Sequence, residues 1–93
     1  MKFVGNLPST FVKFTAKWCK PCKLIEPVFH ELSEEHKKFT FVSIDIDDHE
    51  DIAAEYSVMS IPMFVVLNKS AEKVDKMSGK DESKLRALIN KYV

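Results

Sequence analysis

Five consecutive apolar residues, MFVVL at positions 63–67, constrain the fold of this chain more than any other segment. A strand that is apolar at every position is expected where both of its faces are covered. The chain around it alternates short strand-like runs with runs whose apolar residues recur at helical spacing. This pattern predicts an α/β fold in which helices cover both faces of a mixed sheet.

The predicted elements follow the order βαβαββα. Strands are predicted at residues 11–16, 39–45, 63–67 and 72–77, with a hairpin loop at residues 68–71. Helices are predicted at residues 19–37 and 48–56, and a final helix is marked by Leu85, Leu88, Ile89 and Tyr92. Pro27 is expected to kink the first helix, because proline cannot donate the internal hydrogen bond. The chain has 93 residues without repeats or linkers, which predicts a single domain over residues 1–93.

Charge and hydropathy exclude several classes of function. The formal net charge is zero, so neither nucleic acid nor a membrane surface is expected as a partner. The N-terminal stretch MKFVGNLPSTF lacks the apolar core of a signal peptide. The longest apolar run, residues 61–67, is too short to cross a bilayer. We therefore expect a cytoplasmic protein whose cysteines stay mostly reduced.

The two cysteines of the chain, Cys19 and Cys22, stand three positions apart at the predicted start of the first helix. In a reducing compartment this spacing indicates redox catalysis or metal binding. Cys19 would face unpaired backbone N–H groups and the positive end of the helix dipole, both of which favour a thiolate. Cys22, one turn further on, is near enough to close a disulfide and is more shielded. We expect Cys19 to attack and Cys22 to resolve.

Three lysines, Lys17, Lys20 and Lys23, surround the cysteine pair in the sequence. Their positive charge is expected to lower the pKa of Cys19. The alternative is an ordinary solvated face, since exposed charges interact weakly through water. The spacing of the lysines does not decide between these two interpretations.

Zinc and calcium are the metals that the sequence suggests at first sight. Zinc needs two ligands beyond the cysteines, and His30 on the same predicted helix lies roughly 12 Å from Cys22 by helical rise. The acidic run IDIDDHED lacks the glycine and the glutamate that a calcium loop requires. We expect no metal and no cofactor, and we expect Asp47 or Asp48 to cap the short helix that follows.

The residues around the cysteines resemble one known family. Trp-Cys-Lys-Pro-Cys-Lys, residues 18–23, resembles the thioredoxin active site, Trp-Cys-Gly-Pro-Cys-Lys. FVKFTAKWC is similar to the thioredoxin strand that leads into the nucleophile, and Pro27 matches the proline that kinks the active-site helix. VSIDIDDHEDIAAEYSVMSIP and SGKDESKLRALI resemble later segments of the family. The resemblance covers about residues 10–93.

The resemblance implies a thioredoxin-like fold and an enzyme that reduces protein disulfides, with a thioredoxin reductase as electron donor. It implies that Cys19 is the nucleophile and Cys22 the resolving thiol, as the residues themselves indicate. It implies that Pro21 tunes the redox potential of the pair. It also implies a cis peptide bond before Pro62 and a substrate groove formed by three residues, Trp18, Ile61 and Pro62. We expect a monomer.

The chain departs from the family pattern at four places. One is Met63, which follows the proline where threonine is frequent and should give a softer, more apolar groove wall. Too few residues precede Trp18 for the usual first strand and helix. We therefore expect a shortened fold, with four principal strands, three helices and at most a fifth strand at residues 2–4. Lys20 replaces a glycine, and its charge should make the couple a stronger oxidant by stabilising the thiolate. Lys13 stands where the family buries an aspartate near the resolving cysteine.

Two interpretations of Lys13 are open. Burial would lower its pKa and place it to stabilise a thiolate on Cys22 as a support of the active site. Alternatively the side chain extends past the shortened N-terminus into solvent, which is the outcome we expect.

Two other functions compete with disulfide reduction fed by a thioredoxin reductase. A glutaredoxin-like enzyme would take its electrons from glutathione, although glutaredoxins commonly carry Pro-Tyr between their cysteines. A binding module would use the fold to dock a partner without turnover. The loss of the buried aspartate favours the binding module, whereas the retained cysteines, Trp18 and Pro62 argue against it.

Overall fold

The computed structural model describes residues 8–93, which contain four strands and three helices in the predicted order βαβαββα. The strands are β1 (Pro8–Thr15), β2 (Thr40–Asp45), β3 (Met63–Asn68) and β4 (Lys73–Ser78). The helices are α1 (Lys20–Glu35), α2 (Glu50–Glu55) and α3 (Glu82–Asn90). The four-stranded α/β fold is therefore confirmed. The fifth strand suggested at residues 2–4 lies outside the described residues.

The strands form one mixed sheet in the order β2-β1-β3-β4. β1 runs parallel to β2 and antiparallel to β3, and β3 runs antiparallel to β4. β1 and β3 are therefore the central strands, and β3 is buried from Met63 to Val66. The continuous apolar run of the sequence thus occupies a strand that is covered on both faces, as predicted.

Two apolar layers lie on the two faces of the sheet, because successive side chains of a strand point to opposite sides. On one face, Phe11 packs with residues of α1 and α3, among them Phe29 and Leu85. On the other face, Phe14 packs with residues of α2 and its flanks, among them Ile52 and Tyr56. The sheet consequently has helices on both faces, and α1 is held firmly against the strand that leads into it.

The predicted start of α1 agrees with the structure, whereas the predicted cap of α2 does not. Cys19 is the N-cap of α1, and Pro21 lies in the first turn, where its missing N–H leaves no hydrogen bond unmade. The expectation that Asp47 or Asp48 caps α2 was wrong. His49 is the N-cap residue of α2, and no side chain caps that helix.

The predicted hairpin loop connects β3 to β4 at the end of the sheet where β3 finishes. The side-chain oxygen of Asn68 accepts hydrogen bonds from the backbone N–H groups of Ser70 and Glu72, both at 2.9 Å. Ala71 adopts a positive φ of 62°, which turns the chain back. The buried Asn68 therefore holds the loop through polar contacts that replace strand pairing.

Candidate active site

Cys19 and Cys22 form a disulfide across the first turn of α1, with their Cα atoms 5.3 Å apart. The backbone N–H of Cys22 donates a hydrogen bond to Sγ of Cys19 at 3.2 Å. Cys19 therefore receives one of the N–H groups that a helix leaves unpaired at its N-terminus. In the reduced form the same N–H and the helix dipole favour a thiolate at Cys19.

The two cysteines are shielded to slightly different degrees. Cys22 is 1% exposed and Cys19 is 4% exposed. Ala16 packs with both of them, and Ile46 and Ile61 lie against this small cluster. The prediction that Cys22 is the more shielded of the two is confirmed, although both cysteines are buried.

The loop before β3 lies directly beside the disulfide. Sγ of Cys19 is 3.9 Å from the backbone carbonyl oxygen of Ile61. The peptide bond between Ile61 and Pro62 is cis, as the resemblance implied. The carbonyl of Pro62 accepts a hydrogen bond from the backbone N–H of Gly79 at 2.9 Å, and this bond fixes the loop against the end of β4.

An open cavity of about 290 Å³ lies next to the cysteines. Its lining is mostly apolar and comes from Trp18, Ile46, Val58, Met59, Ser60 and Ile61. Trp18 is 67% exposed and Met59 is 92% exposed, which is unusual for large apolar side chains and indicates a contact surface. The sequence indicated Trp18 and Ile61 but missed Ile46, Val58, Met59 and Ser60, of which the last three could have been inferred from their place ahead of the proline. The third residue predicted for the groove, Pro62, is buried and is not part of this lining.

Asp47, which the sequence suggested as a cap of α2, belongs to the site instead. Nε1 of Trp18 donates a hydrogen bond to Oδ2 of Asp47 at 2.9 Å. The backbone N–H of Asp47 in turn donates to the carboxylate of Asp45 at 2.8 Å. The carboxylate of Asp47 therefore orients the indole ring instead of capping α2.

Lys17, Lys20 and Lys23 are all exposed, close in sequence to the start of α1. Water and salt therefore screen their charges. This placement agrees with the solvated face considered above, while Lys20 keeps its position between the two cysteines. Pro21, also exposed, stands beside it in the first turn of α1.

Lys13 does not reach solvent, and the expectation that it would was wrong. Its side chain is fully buried, contacts the carboxylate of Glu26, and places Nζ 5.2 Å from the centroid of the Phe29 ring. The cause is its position on β1, a central strand of the sheet that α1 covers. Burial lowers the pKa of Lys13 to about 8, whereas the neighbouring carboxylate favours the charged form.

Metal ligands do not converge in the part of the chain that the structure describes. Within residues 8–93, no group of three or more histidine, cysteine or acidic side chains could hold a metal ion. The side chain of His30 is exposed and lies 3.7 Å from the carboxylate of Glu34. In the same residues, no helix has both the length and the apolar character to cross a membrane.

A pair of cysteines that opens and closes its own disulfide at a helix N-terminus carries electrons two at a time. On this fold, that chemistry defines the class of the protein as a dithiol–disulfide oxidoreductase. The family model named Thioredoxin matches residues 2–91. The chain therefore belongs to the thioredoxin family.

Relatives of known sequence support this membership. The thioredoxin of Oryctolagus cuniculus is 46% identical to the chain over 82 residues, which are 88% of this chain and 77% of that protein. The thioredoxin of Pongo abelii is 44% identical over 82 residues, again 88% of this chain and 77% of that protein. The identity extends well beyond the cysteine motif.

Solved structures share the fold. Fasciola hepatica thioredoxin superposes with a TM-score of 0.86 at 38% identity, covering 90% of this chain and 80% of that one. Plasmodium falciparum thioredoxin superposes with a TM-score of 0.89 at 32% identity, covering 97% of this chain and 87% of that one. The protein is accordingly an enzyme that reduces protein disulfides through its Cys-Lys-Pro-Cys couple.

Proposed function

We propose that Cys19 is the nucleophile of this disulfide reductase and that Cys22 resolves the intermediate. The observation that carries the assignment is the hydrogen bond from the N–H of Cys22 to Sγ of Cys19 at the start of α1. Cys19 alone has the position that stabilises a thiolate in this way. Cys22 is more deeply buried, so an external disulfide meets Cys19 first.

The reaction then has two exchange steps. The Cys19 thiolate attacks one sulfur of the substrate disulfide, a mixed disulfide forms, and the other substrate sulfur leaves as a thiolate. Cys22 then loses its proton and attacks Sγ of Cys19. The Cys19–Cys22 bond forms, the bond to the substrate breaks, and the second substrate sulfur leaves with the electron pair. The substrate gains two electrons and two protons, and the enzyme is left oxidised.

The cavity beside the cysteines is the proposed substrate groove. Trp18 and Ile61 belong to its lining, and Met59 extends the exposed apolar surface. Pro62 is buried and lies outside the lining, joined to Ile61 by the cis peptide bond. The backbone carbonyl of Ile61 lies close to Sγ of Cys19, so an extended segment of substrate can lie along this loop. Protein disulfides in extended or partly unfolded segments are the substrates that such an open, apolar groove fits best.

Truncation of the exposed indole is expected to weaken protein substrates selectively. Trp18→Ala should lower kcat/KM for a disulfide-bonded protein about tenfold, a typical loss for a tryptophan at a contact surface. A small disulfide such as hydroxyethyl disulfide, which needs little of the groove, should be reduced at nearly the same rate. Val74→Ala, which truncates an exposed apolar side chain of β4, is the matched control. Equal losses for both substrates would contradict the groove.

Lys20 and Pro21 are proposed to tune the redox potential of the couple. Lys20 directly follows Cys19 at the start of α1, so at this short range part of its charge acts on the thiolate in spite of screening by water. It thereby favours the reduced form, which raises the potential. Lys20→Gly should therefore make the potential more negative by about 30 mV, which is a tenfold change in the equilibrium constant of this two-electron couple. Equilibration with defined redox buffers, followed by thiol trapping and mass spectrometry, measures the shift.

A second variant separates the effect of charge from the effect of glycine flexibility. Lys20→Gln removes the charge and keeps a long side chain, so it should shift the potential in the same direction. A potential that changes only in Lys20→Gly would show that the backbone at this position, and not the charge, sets the value.

A thioredoxin reductase is the proposed electron donor, since the chain belongs to the thioredoxin family. A potential of the wild type near −270 mV, the value typical of thioredoxins, would support this donor, and one near −200 mV would support coupling to glutathione. Turnover with NADPH and either thioredoxin reductase or glutathione plus glutathione reductase gives a direct comparison. Lack of any 19–22 couple in solution would leave the binding module as the function.

Residues 1–93 are proposed to form a single domain that acts as a monomer in the cytoplasm. One sheet unites all the described elements, which supports a single domain. A dithiol reductant works where the surrounding thiol pool keeps it reduced, which supports the compartment. Light scattering after size-exclusion chromatography tests the monomer, and imaging of a fluorescent fusion tests the location.

A further inference from the structure

An ion pair with a buried lysine and a half-exposed glutamate links β1 to the active-site helix and takes no part in the steps described so far. Lys13, on β1, is 0% exposed, and the side chain that it contacts, Glu26 on α1, is 53% exposed. The pair thus connects a charge in the interior to a carboxylate at the surface. A buried lysine in a small protein is uncommon enough to require an explanation.

The pair lies along the same line of α1 as the resolving cysteine. Cys22, Glu26 and Phe29 are spaced at i, i+4 and i+7, which places them on one face of the helix. The rise from Cys22 to Glu26 is about 6 Å. Because Nζ of Lys13 contacts Glu26 and lies 5.2 Å from the centre of the Phe29 ring, the ammonium group lies beside the part of α1 that is one to two turns beyond Cys22, about 6–10 Å along the helix.

Among the described residues, the strand neighbours of Lys13 carry no charge that could pair with its ammonium group. Its neighbour on β2 is Ser43, and its neighbour on β3 is Phe64, which is 1% exposed. Phe29 covers it from α1. Glu26 is therefore the charged group that faces Lys13, and the state of Lys13 depends mainly on burial and on this one carboxylate.

We propose that Glu26 is a positioning residue that keeps the buried Lys13 side chain charged, so that Lys13 stabilises the Cys22 thiolate in the resolving step. The inference rests on the proposed role of Cys22 as the resolving thiol. Water solvates the half-exposed carboxylate of Glu26, so that the carboxylate can support the buried cation at a modest penalty. Lys13 thus stands where the family carries a buried aspartate near the resolving cysteine. It acts through its positive charge, whereas an aspartate would accept a proton.

The chemistry of the resolving step stays balanced in this arrangement. Lys13 neither gives nor takes a proton. Cys22 releases its proton to water, its thiolate attacks Sγ of Cys19, and the departing substrate thiolate takes up a proton from water. The ammonium group lowers the pKa of Cys22 because it stabilises the charged form of the thiol in a site that excludes water.

Burial explains why the carboxylate is required. Burial lowers the pKa of Lys13 to about 8, from an ordinary value of 10.5. A buried lysine without an acidic partner loses its proton still more readily. Removal of the Glu26 charge is therefore expected to neutralise Lys13 and so to raise the pKa of Cys22, although Glu26 itself is negative.

The sign of the effect separates this role from a direct one. If Glu26 acted on Cys22 only through its own negative charge, then Glu26→Gln would lower the pKa of Cys22, because a negative neighbour disfavours a thiolate. If Glu26 acts through Lys13, the same substitution raises it. Opposite directions from one substitution make the two roles distinguishable.

The test is a titration of Cys22 as the single thiol, in variants that all carry Cys19→Ser. Thiolate absorbance at 240 nm, followed from about pH 5 to pH 11, gives the pKa. Lys13→Met and Glu26→Gln are each expected to raise the pKa of Cys22 by about one pH unit, which makes the thiol a tenfold weaker acid. Glu26→Gln should add almost nothing when Lys13→Met is already present, because the two act through one charge. Glu34→Gln, in a residue 59% exposed on the same helix, is the matched control.

Each possible outcome either supports or overturns the proposed role of the ion pair. A fall in the pKa of Cys22 in Glu26→Gln, or an equal rise in the Lys13→Met background, would overturn the proposal. If Lys13→Met does not fold, the direction of the shift in Glu26→Gln decides alone. Failure of the proposed function is distinguishable, since it appears as absent turnover in the wild type. An unchanged Cys22 titration beside normal turnover would defeat only the role of the ion pair.

Discussion

Replacement of Cys19 by serine is expected to abolish disulfide reduction, leaving only the uncatalysed rate. The serine hydroxyl is not ionised near neutral pH, so the first exchange step loses its nucleophile. The hydrogen bond from the N–H of Cys22 to position 19 cannot compensate, because it stabilises a charge that serine does not carry. Reduction of a disulfide-bonded protein, followed with a chemical dithiol or a reductase as electron source, measures the loss.

Cys22→Ser is the informative control, because it leaves the attack of Cys19 intact. This variant should form a mixed disulfide with the substrate and accumulate it, since no second thiol is present to resolve it. Mass spectrometry of the unreduced mixture detects the adduct directly. An adduct that formed through Cys22 in the Cys19→Ser variant, and not through Cys19 here, would reverse the two roles.

Replacement of Lys13 by methionine is expected to make the protein more stable near neutral pH, by roughly 1–3 kcal/mol. A buried charge is desolvated at a price that its ion pair recovers incompletely, whereas methionine fills similar space without that penalty. Glu26 is 53% exposed, so its carboxylate is not left unpaired in the interior. Urea denaturation of the oxidised proteins at pH 7 gives the difference in the free energy of unfolding.

The same difference should disappear as the pH rises. The pKa of Lys13 is about 8 in the folded protein, against 10.5 for the ordinary side chain. Between these values the unfolded chain binds more protons than the folded one, so the stability of the wild type rises with pH across this window. Lys13→Met lacks this rise and should lose its advantage by about pH 10.5. Taking the difference between the two proteins cancels the other groups that ionise in the same range.

Lys76→Met provides the control for this experiment, because Lys76 is exposed on β4. Its removal should change stability by less than about 0.5 kcal/mol and without the same pH dependence. A Lys13→Met protein less stable than the wild type at pH 7 would show that the ion pair with Glu26 is net stabilising. Lys13 would then be a structural residue as well as an electrostatic one.

The order of the elements was predictable because the hydrophobic periodicity is strong in each segment. Apolar residues are continuous from Met63 to Leu67 in β3, and Ile25, Phe29 and Leu32 recur at helical spacing in α1. Such patterns depend on residues that are close in the sequence, so they can be recognised without knowledge of the fold. The cysteine site was predictable for a similar reason, since a helix start and a three-residue spacing are local features.

The features that were missed depend on residues far apart in the chain. The carboxylate of Asp47 has a local use as a helix cap and a distant use as the partner of Trp18, 29 positions away, and spacing alone does not choose between them. The direction of the Lys13 side chain depends on which strand is central and on which helix covers it. The cis bond before Pro62 could be predicted only from the family resemblance, because most X–Pro bonds are trans.

The hairpin held by Asn68 has a practical consequence for anyone who modifies this protein. β3 starts beside the disulfide and ends at this loop, five residues later, so the two lie about 17 Å apart. The loop residues Lys69, Ser70 and Ala71 are exposed, and turns of this kind tolerate added sequence. An affinity tag or a fused domain placed there would stand clear of the groove. The catalytic end of the sheet and the end available for engineering are thus opposite ends of one strand.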